Sequence, residues 1–551
     1  MTESERTNLE WWKRGVVYQI YPRSFQDANG DGIGDLKGII QRLDYLEWLG
    51  VDAIWLSPVY PSPMADFGYD IADFRDIDPI FGTLADFDEL VRDAHARGLR
   101  IIMDFVPNHT SDRHPWFEEA RASRASARRD WYVWRDPSPG GGPPNNWLSE
   151  FGGSAWEHDA ATGQYYYHAF LKEQPDLNWR NPEVRREMHD VLRFWLARGV
   201  DGFRIDVVHH LIEDSLFRDN PPNPVFEQGM RPSHALLSTY TVDQPEVQEI
   251  IAELRKIVDE YPEKVLIGEI HLPIERLMTY YGVELSGIHL PFNFNLIGAP
   301  WSAAVLRDLI ATYEAALPAG AWPNWVLGNH DTLRIASRVG RPGARLAAIL
   351  LLTLRGTPTV YYGDEIGMED VAIPRDEVRD PFEKNVPGIG AGRDPARTPM
   401  RWTAGRNAGF TTGTPWLPLG DNLATCNVEA QSNDRASMLS LCRRMLALRR
   451  ARPALAVGDY VAVPCEEECL AYLRQWGDER VLVMLNFSNH EHRLFLPRAL
   501  PRGRIVFSTH ASRSEEEVAE AVVLAPTEGV VIVAAQPGHS IARDLSNAPG
   551  A

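Results

Sequence analysis

Long apolar runs are missing: nowhere in the 551 residues does an uninterrupted one approach the roughly 20 that a membrane-crossing helix requires. The first residues, MTESERTNLEWWKRG, have no apolar centre that could serve as a secretory leader, so a cytoplasmic location is expected and no membrane partner. Cysteine is scarce. Cys426, Cys442, Cys465 and Cys469 all fall in the last quarter, and no nearby histidine completes a zinc-ligand spacing with them. Free thiols, not a disulfide framework, are expected. Basic charge is also short, with 56 Lys and Arg against 76 Asp and Glu and a formal charge of −20. A nucleic acid would have to be met by a basic patch that this composition does not supply, so a neutral substrate fits better. No internal repeat or low-complexity tract stands out. What remains, 44% hydrophobic and 24% charged residues, describes a soluble globular chain, too long for one core and divided into two to four domains.

Eight short β-branched or aromatic runs recur, most ending in a polar cluster: 15–22, 51–58, 100–109, 200–208, 264–271, 286–294, 324–331 and 357–365. Between them lie helical patterns such as DLKGIIQRLDYLEWLG and LADFDELVRDAHARG, apolar at i, i+3 and i+4 and closed by glycine. Periodicity alone would also suit a doubly wound open sheet. The count of eight predicts a (β/α)₈ TIM barrel, an α/β fold whose active site gathers at the carboxyl ends of the strands. The third run is followed by about 65 residues rich in Trp, Tyr, Gly and Pro, far beyond an ordinary βα loop, which predicts a small inserted domain. Alternating runs near the end (CLAYLRQW, RVLVMLNFS, GVVIVAA) predict a C-terminal antiparallel β domain. The expected division is a barrel over 1–108 and 176–454, a loop-rich insertion over 109–175 and a β domain over 455–551.

GVDGFRIDVV, residues 199–208, hides Arg204 and Asp206 inside a stretch that otherwise reads as buried strand. Unpartnered, such charges cost several kcal/mol, and an isolated R-x-D would be read as a structural ion pair. Here Glu269 ends the next run and His330 and Asp331 end the seventh. Three carboxylates and two histidines facing one cavity would repel and desolvate one another, and stability alone would not select that. Glycoside hydrolysis needs such a set: a carboxylate nucleophile or base, a carboxylic acid for the leaving oxygen, and charge to support an oxocarbenium-like transition state.

DFVPNH, GFRIDVV, GEIH and GNHD, in that order and spacing, resemble the conserved regions of the α-amylase superfamily of glycoside hydrolases. QPDLNW (174–179) and GRDPARTPMRW (392–402) are similar to those of its α-glucosidase and oligo-1,6-glucosidase branch. The resemblance implies a retaining exo-α-glucosidase acting on small α-glucosides (maltose, isomaltose, short malto- or isomalto-oligosaccharides, sucrose), with transglucosylation as a side reaction and no organic cofactor. It implies Asp206 as nucleophile, Glu269 as acid/base and Asp331 as the third carboxylate, binding sugar hydroxyls. Arg204 would hold Asp206 ionised, whereas Glu269, with no arginine two positions before it, would stay protonated more easily. His109 and His330 would donate to sugar hydroxyls. Asp66 would pair with Arg393 to cap the non-reducing end, and Tyr69 would stack on the ring. Phe170 and Phe151 would line the pocket, with ordinary core as the alternative. Val207 goes with α-1,6 preference in part of the branch, or simply packs the barrel wall.

DANGDGIGD (27–35) brings together Asp27, Asn29, Asp31 and Asp35, with the carbonyl of Ile33 between them. The twelfth position is Gly38 rather than Glu, which excludes an EF-hand. Alternating oxygen ligands still suit a structural Ca²⁺ or Mg²⁺, and the resemblance implies one; a metal-free Asx turn is the alternative. Thr332, Leu333 and Arg401 depart from the branch's pattern and are expected to border the leaving-group subsites. A sucrose or maltose isomerase of the same fold, and a catalytically dead binding homologue, are the rival readings. All three acids are present, which disfavours the second.

Overall fold

The computed structural model describes residues 10–510, 513 and 515–534. The reading of the amino terminus as lacking a leader therefore falls mainly on residues outside the described ones. All eight expected runs become parallel strands of one closed barrel: Val17–Ile20, Ala53–Leu56, Arg100–Phe105, Gly202–Ile205, Val265–Gly268, Leu290–Asn293, Asn324–Val326 and Thr357–Tyr361. Each pairs with its neighbour in sequence, and the eighth closes on the first with Val17 beside Thr359. The β-branched composition follows from burial on both faces, between the barrel interior and the surrounding helices. Gly202 has a local reason: a Cβ there would lie 2.4 Å from the Val265 carbonyl on the adjacent strand.

The helices obey local rules. Leu84–Ala96 opens on a reciprocal cap between Thr83 and Asp86 and buries Phe87, Leu90, Val91 and Ala94. Pro182–Ala197 starts on an Asn181 cap with proline in its first turn and carries the chain back from the insertion to the fourth strand. Among the described residues no helix is long and apolar enough to cross a membrane.

Two expectations need correction. The third strand ends at Phe105 and not at 109, because Pro107 has no N–H to continue the ladder. The insertion is also less loop-like than its Gly and Pro content suggested. It holds the helix Pro115–Ala122 and a three-stranded antiparallel sheet of Trp134–Arg135, Gln164–Tyr167 and Trp156–Asp159, with Trp147, Trp156 and Tyr167 packed together. Towards the carboxyl end, eight strands from Asp459–Val463 to Gly529–Ala534 form one antiparallel sheet. The four cysteines are all free thiols.

Candidate active site

Strand register sets the first contacts. Ile205 pairs with Gly268, so the next residues on each strand, Asp206 and Glu269, leave the rim side by side. Asp104 pairs with Arg204, and the period of two in a strand points Arg204 and Asp206 the same way. The guanidinium of Arg204, fully buried, donates through Nη1 to Asp104 Oδ1 (2.8 Å) and Asp206 Oδ1 (2.6 Å), and through Nη2 to Glu269 Oε2 (2.5 Å).

This overturns the expectation that Arg204 serves Asp206 and leaves Glu269 free. Spacing along one strand cannot show that the guanidinium reaches across to the next. Glu269 also accepts from Val207 N (3.0 Å) and lies 2.9 Å from His271 Nε2. Burial pushes both carboxylates up. At Glu269 the charge of Arg204 and the His271 contact outweigh burial and hold the group well below the usual carboxylate range. At Asp206 burial wins, with Glu269 and Asp104 adding to it, and the group sits well above that range. One cation between two buried acids therefore leaves the charge on the acid with more donors. Burial also lifts Asp104 to about 6.

Val207 supplies its N–H to Glu269 from a left-handed conformation (φ 35°, ψ 44°) that β-branched residues rarely adopt. Such strain persists where the surroundings enforce it, and here it turns the chain sharply after Asp206. The Val207 side chain is buried, in keeping with wall packing.

The third carboxylate belongs to a second cluster. Asp331 Oδ1 accepts from Arg397 Nη2 (2.9 Å) and Arg393 Nη1 (3.4 Å), and His330 Nε2 is 3.2 Å from its other oxygen. Burial opposes ionisation, but His330 and the two arginines outweigh it and hold Asp331 far below the ordinary range. Burial drives His330 down to about 3 and His109 to about 4, so both rings are neutral near pH 7. His330 lies between Gln19, Tyr69 and Asp331, its ring stacked on Tyr69 at 5.3 Å. Tyr69 OH in turn lies 3.1 Å from Asp104, linking the two clusters.

Arg393 joins Asp331 to Asp66: its Nη2 donates to Asp66 Oδ1 and to Asp380 Oδ1, both at 2.6 Å. Asp380 caps the helix Pro381–Asn385 and anchors Arg393 from behind. Gln174, from the QPDLNW motif, spans Asp66 (3.4 Å) and His109 (3.1 Å). Phe151 carries Arg393 over its ring at 5.1 Å, and Phe170 lies 5.3 Å from His109. Both phenylalanines also line a cavity of about 570 Å³ between the insertion and the Pro381–Asn385 helix, which Asp206, Glu269 and Asp331 do not line. Asp206 is 6% and Glu269 4% exposed, whereas the Asp331 side chain keeps 29% of its surface open.

The structure thus brings Asp66, Tyr69, His109, Arg204, Asp206, Val207, Glu269, His330, Asp331 and Arg393 into one connected network. Sequence reading missed Asp104, Gln174, His271, Asp380 and Arg397. Asp104 and His271 carried a signal, lying inside the third run and at the end of the fifth, whereas Asp380 and Arg397 come from the long segment after the eighth strand, which has no periodicity. Arg401 is not at the site. It is buried and bonded to Asn422, with Cys426 alongside. Thr332 turns back onto Asn329 (3.0 Å), and Leu333 is exposed.

The Asp27 loop lies apart from these residues. Asp27 Oδ1 accepts from Asn29 N (2.9 Å) and Gly30 N (2.7 Å), and its Oδ2 from Gly32 N (2.8 Å) and the Thr411 hydroxyl. Four hydrogens fill its lone pairs, which is the Asx-turn arrangement. Asn29 Oδ1, Asp31 Oδ1 and Asp35 Oδ2 each accept one backbone amide and keep a lone pair. The donor set, all oxygen in a loop bent at Gly30 and Gly32, has the chemistry for a hard cation.

A barrel of parallel strands with paired carboxylates at the carboxyl rim and neutral histidines and arginine-held acids beside them defines a glycoside hydrolase. Residues 19–458 match the α-amylase catalytic domain, and the chain belongs to the α-amylase family. It is 43% identical to a probable α-glucosidase of Rhizobium meliloti (90% of this chain, 94% of that protein). It is 41% identical to an oligo-1,6-glucosidase of Parageobacillus thermoglucosidasius (87% of this chain, 90% of that protein). Among solved structures it resembles the α-glucosyl transfer enzyme XgtA (TM-score 0.90, 40% identity, 96% of this chain, 100% of that one). It also resembles the trehalulose synthase MutB of Pseudomonas mesoacidophila MX-45 (TM-score 0.87, 35% identity, 96% and 100%).

Proposed function

We propose that this enzyme is a retaining exo-α-glucosidase that removes the terminal non-reducing glucose from short α-1,4- or α-1,6-linked glucosides. The observation that carries the reading is the register-paired Asp206 and Glu269 joined by adjacent nitrogens of Arg204. Two acids sharing one guanidinium favour the short separation of retaining enzymes, about 5–5.5 Å, over the roughly 6.5–9.5 Å that leaves room for a water in inverting ones.

In this mechanism the Asp206 oxygen not held by Arg204 attacks the anomeric carbon while Glu269 protonates the departing oxygen. Glu269 then takes a proton from the water that releases glucose. Substrate entering between the acids has to loosen the Arg204–Glu269 bond. Arg204 then keeps Asp104 and the Asp206 carboxylate, and burial, no longer offset by the guanidinium, favours the protonated form of Glu269. Asp331 and the neutral rings of His109 and His330 bind sugar hydroxyls. Asp66 and Arg393 close the far end, which restricts attack to chain termini.

A panel of maltose, isomaltose, sucrose and trehalose with quantified products tests the assignment. Free α-glucose as the first product from maltose and isomaltose is expected; a predominance of isomerised disaccharide would establish the isomerase reading instead. Arg393→Lys keeps the charge and loses the planar donor pair. It should lower kcat/KM on maltose by about 10-fold or more, the scale of one charge-assisted hydrogen bond, and by a similar factor on longer malto-oligosaccharides, whose terminal glucose enters the same pocket. Unchanged kcat/KM on maltose would remove the capping role.

A structural Ca²⁺ or Mg²⁺ in the Asp27 loop is part of the proposal. Asn29, Asp31, the Ile33 carbonyl and Asp35 would hold it, joined by Asp27 on release of Thr411, and it would stiffen the loop without entering the chemistry. Chelation should then lower the melting temperature by about 2–5 °C at unchanged kcat/KM. A chelated enzyme with an unchanged melting temperature would favour the metal-free turn.

A further inference from the structure

Far from the barrel rim, CEEEC (465–469) and NHEH (489–492) meet at one end of the C-terminal sheet. His490 Nε2 lies 2.8 Å and His492 Nε2 3.3 Å from the same oxygen, Glu468 Oε2. Among the described residues these three are the one set of His, Cys, Asp or Glu whose ligand atoms all lie within 4.8 Å of one another.

The remaining ring nitrogens explain why the cluster is more than a surface ion pair. His490 Nδ1 faces Asn489 Oδ1 at 2.9 Å, and His492 Nδ1 is bonded to Glu466 Oε2. Both partners are oxygens that only accept, which suits the tautomer with its hydrogen on Nδ1 and leaves each Nε2 able to turn a lone pair towards Glu468. Two nitrogen lone pairs and a carboxylate oxygen then converge with no hydrogen between them. Ser488 Oγ, 3.1 Å from His492 Nε2, can offer one hydrogen to that ring and none to His490. A cation at the centre would satisfy both ring nitrogens and the carboxylate oxygen at once.

We propose that His490, His492 and Glu468 form a zinc site, with Glu466 as the carboxylate that orients His492. Two imidazoles and a carboxylate suit Zn²⁺, and an acceptor behind the ligating imidazole is the usual means of fixing its tautomer. The ion would tie the turn before Cys469–Trp476 to the start of His492–Phe495, a strand at the edge of the sheet with one partner. The zinc would act on the fold and take no part in hydrolysis.

The test uses the full chain, stripped with chelator, dialysed against ZnCl₂ and assayed for bound metal, beside the double variant His490→Gln/His492→Gln and the single variant Glu466→Gln. One more zinc per chain is expected in the wild type than in the double variant. Co²⁺ should give the visible absorption of a tetrahedral site in the wild type alone, and Glu466→Gln should weaken zinc binding by about 10- to 100-fold. All variants are expected to keep wild-type glucosidase activity, which reports that they are folded. Equal zinc content in the wild type and the double variant, or Co²⁺ bound without the tetrahedral spectrum, would overturn the proposal.

Discussion

Asp206→Asn is expected to lower kcat on α-glucosides by about 10⁴-fold or more, the scale on which removal of a nucleophile is felt, with little change in substrate affinity. The substitution is nearly isosteric and keeps an oxygen for Arg204, which holds Asp206 at 2.6 Å. It removes the atom that forms the glucosyl bond. Because burial already drives Asp206 towards its neutral form, the variant loses little stability, and a normal melting curve should accompany the dead enzyme. A ring-fluorinated glucosyl donor whose intermediate hydrolyses slowly should add one fluoroglucosyl mass to the wild type, and peptide mapping should place it on Asp206. A label on Glu269, or turnover in Asp206→Asn comparable to the wild type, would refute the assignment.

The second large effect is expected from Arg204→Met. Its guanidinium bonds Asp104, Asp206 and Glu269 at once, and taking away one partner of a buried ionic cluster costs about 3–5 kcal/mol because the others are left uncompensated. kcat should fall by at least about 10²-fold, since the charge that would steady Asp206 in its ionised form once substrate has displaced Glu269 is gone. The pH dependence has a definite sign. Without Arg204 the folded-state carboxylates shift upward, Asp206 and Asp104 from positions burial has already raised and Glu269 from one the guanidinium had held low, relative to unfolded values of about 4. The folded state then binds more protons than the unfolded one, so stability falls as pH rises through that window and recovers as pH drops. The melting-temperature deficit against wild type should therefore be larger at pH 7 than at pH 5. A deficit that is the same at both values would mean that Arg204 acts through packing alone.

Much of the barrel and of its acids is legible in the amino-acid sequence. Eight runs of β-branched residues with polar ends predict eight strands, because strands buried on both faces are mostly apolar and most of the functional acids stand where the ladder stops. Asp206, Glu269 and Asp331 are visible for that reason. Asp380 and Arg397 are not, because they sit in irregular chain after the eighth strand and reach the site only when that segment folds back over the rim. The conformation of Val207 also lies beyond the sequence, since nothing in its neighbours demands a positive φ. The demand comes from Glu269, whose carboxylate receives its N–H.

By itself the chain order determined which residues end the strands, and with them the barrel and the candidate acids, because hydrophobic period and strand termination are local properties. Tertiary structure alone decided how charge is shared. Arg204 meets Glu269 because two strands 65 residues apart in sequence pair in one register. His492 meets Glu466 and Glu468 because separate turns close on the same end of a sheet. Electrostatic interaction falls with distance in space, not along the chain, so the protonation of Asp206 and Glu269 is a property of the folded barrel and not of either segment alone.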